Sequence, residues 1–276
     1  RGGQVGDTGV FQGLQGKGKI LDTQKLPDGR VIHSARLEHG SVKIGDTITL
    51  SVDEPRRQAI RRNHSATHLL HMALKETLGQ HTNQAGSLVE PDRLRFDFTH
   101  FAPVEQADLK HIESQINELI LANLPVSAQE MSIEEAKKQG ATALFGEKYG
   151  DVVRVVKMGD YSMELCGGTH VPTTSSIGVF KILSESGIGA GTRRIEAVTG
   201  EKAYQFMRDQ MNLLKTVAKK LKTKVEDIPT KIEHLQQEIK ELHKEIESLT
   251  GKLSHLEAGN LLDAVKQINS INVRSE

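Results

Sequence analysis

Four side chains in this sequence form two pairs at one spacing. His64 and His68 stand in Asn63-His64-Ser65-Ala66-Thr67-His68, and Cys166 and His170 in Cys166-Gly167-Gly168-Thr169-His170. On a helix, an i, i+4 spacing puts two side chains on one face, about one turn apart. Three imidazoles and one thiolate make a complete tetrahedral set of zinc donors, so the expected cofactor is one Zn2+ per chain. Cys166 is the only cysteine, which excludes an internal disulfide. Either pair alone is common on solvated helix faces; the expectation rests on the two together. Zinc with four protein ligands is usually structural, whereas a catalytic site keeps a position open. Donor chemistry leaves both readings standing. Two features favour function: one pair lies in a helix and the other in a distant Gly-rich loop, and polar Ser65, Thr67 and Thr169 crowd the ligands. Thr67 also has a plainer reading, a mid-helix hydroxyl bonding back to the preceding turn.

Other residues have two readings each. Gln84, in His81-Thr82-Asn83-Gln84-Ala85-Gly86-Ser87, either lines a pocket or supports strand pairing. The run Gly187-Ile188-Gly189-Ala190-Gly191-Thr192-Arg193-Arg194 is a hairpin turn or a backbone cradle in which Arg193 and Arg194 hold phosphate. Arg61 and Arg62, with Arg56 and Arg57, are a solvated face or a contact to RNA backbone. No Walker loop, dinucleotide fingerprint or aromatic single-strand platform is present.

These residues need elements to position them. Ile60, Ala66, Leu69, Leu70, Ala73, Leu74 and Leu78 recur at helical spacing, with His64 and His68 in mid-helix and Gly79 closing it. Before it, residues 1–54 read as strands: Lys19 to Gln24, then Val31 to Leu37 after the turn Pro27-Asp28-Gly29, then an alternating run from Val42 to Ser51 broken by Gly45-Asp46. Gly2-Gly3-Gln4 and Gly6-Asp7-Thr8-Gly9 read as turns. Short strands with Gly turns suggest part of a small barrel. After the ligand helix come a strand pair, Gln84 to Val89 and Leu94 to Phe98, and an amphipathic helix over 104–123. A strand from Val126 to Met131 and a short helix from Ile133 to Lys138 follow. Four β-rich stretches then run Val152 to Met158, Tyr161 to Leu165, Ile177 to Ser184 and Thr192 to Val198.

The expected class is therefore α+β: a partial β-barrel (1–54), an antiparallel α+β domain holding the zinc (55–200), a helical hairpin or coiled coil (201–258), and a last segment (259–276) that opens a further domain. In the second long helix Ile232, Leu235, Ile239, Leu242, Ile246, Leu249, Leu253 and Leu256 alternate steps of three and four without a break. That stripe closes on the preceding helix as a hairpin or forms the seam of a homodimer. The chain opens at Arg1 inside a Gly-rich motif, without methionine, so further sequence is expected before it.

Composition bounds the rest. The 276 residues suffice for two domains, with 37% hydrophobic and 26% charged residues and no Trp. The formal net charge is zero, so nucleic acid would be met through local patches. One cysteine fits a reducing compartment, and cytoplasm is the expected location. No apolar run approaches the roughly 20 residues of a membrane span.

At these motifs the chain resembles the alanyl-tRNA synthetase family, in the part that follows aminoacylation. The matching pieces are Gly2-Gly3-Gln4-Val5-Gly6-Asp7-Thr8-Gly9, Asn63 to Leu70, Gly86-Ser87-Leu88-Val89 with Leu94-Arg95-Phe96-Asp97-Phe98, Cys166 to His170, and Gly191-Thr192-Arg193-Arg194-Ile195-Glu196. They run in family order over residues 1 to about 200, and the helical tail also fits. The resemblance implies an editing site: zinc on His64, His68, Cys166 and His170, with Thr67 and Gln84 lining the amino-acid pocket. Its expected partner is the acceptor end of tRNA(Ala), and its reaction hydrolysis of the ester in Ser-tRNA(Ala) and Gly-tRNA(Ala). ATP and Mg2+ belong to the family's aminoacylation domain, which these motifs do not include. Two rivals are a freestanding editing protein of the same superfamily and a non-catalytic tRNA-binding or dimerisation module with structural zinc.

Overall fold

The computed structural model describes residues 3–26, 28–142, 150–263, 266–268 and 271–273, the last of these elements, beyond 257, by backbone alone. Gly2 of the first motif and Pro27 of the first turn lie outside the described residues. Two compact units divide the chain, Arg1–Met207 and Arg208–Glu276.

The first unit opens with strands β1 (Gly9–Gly13), β2 (Gly16–Lys25), β3 (Val31–Gly40) and β4 (Ile48–Val52). They form one antiparallel sheet in the order β3-β2-β1-β4. Among the described residues its edge strands do not pair with each other, so closure into a barrel is not seen. β1 was not picked out in the sequence: the five-residue strand has glycine at both ends, and its first residue, Gly9, reads as the end of a turn. Of the third expected run only the part after the Gly45-Asp46 break is strand, from Ile48, with Gly45 at φ 93°.

Asp53 ends this sheet and starts the ligand helix α1 (Glu54–Leu78), its carboxylate accepting from Arg56 N–H at 3.1 Å. Pro55 occupies the first turn, where a missing N–H costs nothing. The sequence predicts an apolar stripe; the structure buries every residue from Asn63 to His71. Sheet elements cover α1 on several sides, as for a core helix. β5 (Gln84–Val89), β6 (Leu94–Thr99), β10 (Phe180–Gly189) and β11 (Thr192–Thr199) form a second antiparallel sheet, in the order β10-β11-β6-β5. α2 (Gln106–Leu121), β7 (Val126–Ser132), α3 (Ile133–Lys138), β8 (Val152–Met158) and β9 (Ser162–Leu165) lie between β6 and β10, with β7-β8-β9 as a third sheet. Leu69, Leu70 and Leu74 of α1, Phe96 and Phe98 of β6, Ile112 and Ile116 of α2, and Met158 of β8 share one core, each fully buried. The expected strand start at Ile177 shifts to Phe180, because Thr174–Ile177 forms a 3-10 turn ended by Gly178 at φ 79°.

Asn63 bolts α1 to two other elements. Its amide N–H donates to Glu90 O at 2.7 Å, and its carbonyl accepts from the Thr199 hydroxyl at 2.6 Å. Asn63→Ala strands both partners in a buried site, at about 1–3 kcal/mol for each group left unpaired. The expected result is a loss of at least about 2 kcal/mol, or about 4–8 °C in melting temperature. An unchanged melting curve would remove this bolt from the account.

In the second unit, α4 (Gly200–Leu221), which begins in the first, is followed by α5 (Ile228–Asp263); backbone strands β12 (Lys266–Ile268) and β13 (Ile271–Val273) pair antiparallel. The expected helical hairpin is not closed. Ala218 and Ile228 are buried at the corner, yet Ile232, Ile239, Leu242, Ile246, Leu249, Leu253 and Leu256 are 40–69% exposed. Length accounts only for the far end: the 22 residues of α4 span about 33 Å and the 36 of α5 about 54 Å, so Leu253 and Leu256 lie beyond its reach. Among the described residues no helix is long and apolar enough to cross a membrane.

Candidate metal centre

The four predicted ligands converge. His64 and His68 project from mid-α1, and Cys166 and His170 from the loop after β9. The second pair thus lies in a loop, and its glycines explain how the loop closes on the first pair. A Cβ on Gly168 would lie 2.0 Å from His64 Cε1, so only glycine lets this loop close over the ring. All four ligands are buried, and one donor atom from each lies within 4.8 Å of the others. Cys166 Sγ is 3.4 Å from both His64 Nε2 and His170 Nε2. Bonds of 2.0–2.3 Å to one tetrahedral ion put donors about 3.4–3.6 Å apart.

The far side of each imidazole is held by the protein. Gln4 Oε1 accepts from the Thr169 backbone N–H at 2.9 Å, which identifies that atom as the oxygen. His64 Nδ1, 2.7 Å from the same oxygen, must then be a donor, leaving the Nε2 lone pair facing the sulfur. His68 Nδ1 donates to Glu164 Oε2 at 2.5 Å. Its Nε2 is buried without a hydrogen-bond partner, as a nitrogen aimed at an ion should be. Ser65 Oγ accepts from Val171 N–H at 3.1 Å and lies 3.2 Å from His170 Nδ1. Two guanidinium groups clamp the loop: Arg154 donates to Cys166 O and Gly168 O, both at 2.8 Å, and Arg61 to His170 O at 2.6 Å.

Electrostatics suit a dication. Burial pushes the Cys166 thiol up, but the neighbouring His170, His64 and His68 rings outweigh it and bring it down to about 2. Burial pushes the Glu164 carboxyl up as well, yet His68 and His71 outweigh it and hold it well below the usual carboxylate range. Burial lowers His64, and lowers His170 to about 3, so both rings stay neutral and able to ligate. Burial pushes His68 down as well, but the Glu164 carboxylate and the Cys166 sulfur outweigh it and raise it to about 10. The thiolate and the carboxylate thus place two negative charges at a buried site of neutral imidazoles once His68 ligates. One divalent ion balances them. The residues fit a metal that takes nitrogen and sulfur donors.

The remaining predicted residues have these places. Thr67 is buried on the same turn of α1, its hydroxyl donating to Asn63 O at 2.9 Å, the back-bond of the plainer reading. The oxygen's lone pairs remain able to accept. Gln84 opens β5, partly buried, its amide donating to Ser87 Oγ at 3.1 Å. Arg193 makes a bidentate pair with Glu185, at 2.5 and 2.7 Å, and Arg194 one with Asp97, at 2.7 and 2.9 Å. Arg61 clamps the metal loop, and Arg62 packs against Gly200. The structure thus engages the guanidinium groups of Arg61, Arg193 and Arg194 within the protein, and the Gly-rich run is the end of β10, a tight turn at Ala190-Gly191 with Gly191 at φ 69°, and the start of β11.

Sequence reasoning missed Glu164, His71, Arg154 and the role of Gln4. Glu164 left a signal: a lone acid in Ser162-Met163-Glu164-Leu165-Cys166, leading straight into the ligand loop. Gln4 was visible only as part of a Gly-rich turn.

Comparison with known proteins agrees with this geometry. Residues 153–196 match the family described as "Threonyl and Alanyl tRNA synthetase second additional domain". The chain is 56% identical over 272 residues to "Alanine--tRNA ligase" of Geobacillus thermodenitrificans (strain NG80-2), covering 99% of this chain and 31% of that protein. The protein of the same name in Bacillus subtilis (strain 168) is 53% identical with the same coverage. The chain thus spans about a third of the length of these curated relatives, 31%.

Proposed function

Over the stretch it covers, the chain belongs to the alanyl-tRNA synthetase family, and on that premise we propose that it is the editing part, hydrolysing Ser-tRNA(Ala) and Gly-tRNA(Ala). The observation that carries the proposal is the buried set of His64, His68, Cys166 and His170, drawn from a helix and a loop and oriented by separate partners. We assign zinc to it, since three nitrogens and a thiolate at tetrahedral spacing suit that ion. The need for such a site is physical. An acceptor pocket built for a methyl group rejects a smaller or hydroxylated analogue only weakly, so a second, hydrolytic sieve is required.

Bound zinc supplies a positive charge that can polarise the ester or hold the amino-acid group. The chain's own residues do the remaining work. Gln4, Glu164 and Ser65 hold the three rings, while Arg61 and Arg154 hold the loop. Thr67, whose hydroxyl proton already goes to Asn63 O, can offer an incoming serine hydroxyl only an acceptor. Gln84 is assigned to the same pocket. Hydrolysis, not ATP-dependent charging, is what these residues support. The acceptor end of tRNA(Ala) is the proposed partner, and the open stripe of α5 is a proposed seam for a second copy.

One observation favours the non-catalytic rival: all four ligands are buried, as in closed structural zinc sites. Hydrolysis of Ser-tRNA(Ala), measured with and without a zinc chelator, separates the two. Editing predicts hydrolysis that the chelator abolishes and restored zinc recovers. A structural module predicts tRNA binding with no hydrolysis in either condition.

A further inference from the structure

Glu164 is a completely enclosed carboxylate, 4% exposed, with a histidine on each oxygen. Oε2 accepts from Nδ1 of the ligand His68 at 2.5 Å, and Oε1 lies 2.8 Å from Nδ1 of His71. His68 and His71 are three residues apart on α1, so both rings face β9 from adjacent turns. A buried carboxylate is costly unless its oxygens are engaged, and here both are.

We propose that Glu164 is a positioning residue for the metal centre: it fixes the ring proton of His68 on Nδ1, aims Nε2 at the ion, and is itself steadied by His71. The inference rests on the reading that the four-ligand set holds zinc. Three features carry it. First, Glu164 reaches the ring nitrogen opposite the donor, the place from which a partner sets tautomer and ring angle. Second, His68 Nε2 has no hydrogen-bond partner, so the ring has no other anchor at its metal-facing end. Third, His71 is 2% exposed and packs against Phe96, with ring centroids 5.5 Å apart, which keeps the second oxygen from rotating away. His64 and His170 have uncharged partners in Gln4 and Ser65. Glu164 is therefore the sole carboxylate behind a ligand ring among the described residues, and it brings a full negative charge as well as geometry.

Glu164→Gln keeps the shape and an acceptor oxygen but removes the charge. Zinc affinity of the whole chain is measured by competition with a chromophoric chelator, alongside the absorption spectrum of the Co2+-substituted protein and the melting temperature without metal. The expected result is about a 10- to 100-fold loss of zinc affinity, an altered Co2+ spectrum, and partial recovery of both in Glu164→Asp. Equal zinc affinity and an identical Co2+ spectrum in Glu164→Gln would overturn the inference, leaving Glu164 a brace of the fold. Should that variant fail to fold, Glu164→Asp decides instead, since it keeps the charge but shortens the reach to His68 Nδ1: lowered zinc affinity with an altered Co2+ spectrum supports the proposal, and wild-type values of both defeat it. If the wild type itself takes up no zinc, the metal reading has failed and this inference falls with it; wild-type uptake with no effect of Glu164→Gln defeats the inference alone.

Discussion

Replacing Cys166 with alanine should reduce zinc from one ion per chain to a small fraction after dialysis, and hydrolysis of Ser-tRNA(Ala) by more than about 100-fold. The bound follows from hierarchy: losing a group behind a ligand costs about 10–100-fold in metal affinity or activity, and the thiolate is itself a ligand. It is also one of the two negative charges that balance the ion. The fold should survive. Cys166 is a small buried side chain at the loop's start, and its backbone carbonyl keeps its bond to Arg154. Binding of tRNA should change little, because phosphate contacts do not depend on ligand geometry. Elemental analysis, a deacylation assay and a binding measurement on one preparation test the three parts. Equal zinc in wild type and variant would sink the ligand assignment; lost zinc with normal hydrolysis would leave the ion structural.

Thr67→Val should abolish preference for serine over alanine while leaving zinc and fold intact. Alanine lies between glycine and serine in size, so volume cannot select both errors and spare the correct ester. A buried acceptor can select serine: its partner hydroxyl is present in the seryl ester and missing from the alanyl one, a margin of about 1–3 kcal/mol, or about five- to 150-fold. Valine keeps the branched shape. It also removes the back-bond to Asn63 O, but that carbonyl still accepts the helical N–H of residue 67, so no buried group is orphaned. Relative hydrolysis rates on Ser-tRNA(Ala) and Ala-tRNA(Ala) give the answer. Unchanged selectivity would mean that the hydroxyl serves only its own helix.

The sequence exposes what is local. Each ligand pair spans five residues, and the periodicity of α1 and the β-rich composition of β5, β6 and β8 need only short windows, so these were legible. What stayed hidden is what depends on distant partners. Gln4 finds His64 across 60 positions, Glu164 finds His68 across 96, and Arg194 finds Asp97 across 97. Two adjacent arginines after a Gly-rich run look alike whether they await phosphate or already hold carboxylates. In the second ligand pair the two glycines between the ligands mark a loop despite the i, i+4 spacing; what they do not reveal is that the loop packs on His64. The heptad stripe of α5 was legible as a stripe, yet nothing in it says whether α4 covers it.

The spacing of the ligands also has a tempo. His64 and Cys166 are 102 residues apart, while Cys166 and His170 are separated by only four. A ribosome adding about 5–20 residues per second needs about 5–20 s to cross that interval. Throughout it the nascent chain carries two imidazoles with no sulfur to complete them, a half-site of little affinity. Glu164, the carboxylate behind His68, emerges only two residues before Cys166. Ligand and brace therefore arrive together, and the four-donor set is complete only once residue 170 has been made, after α1, α2 and β5 to β9.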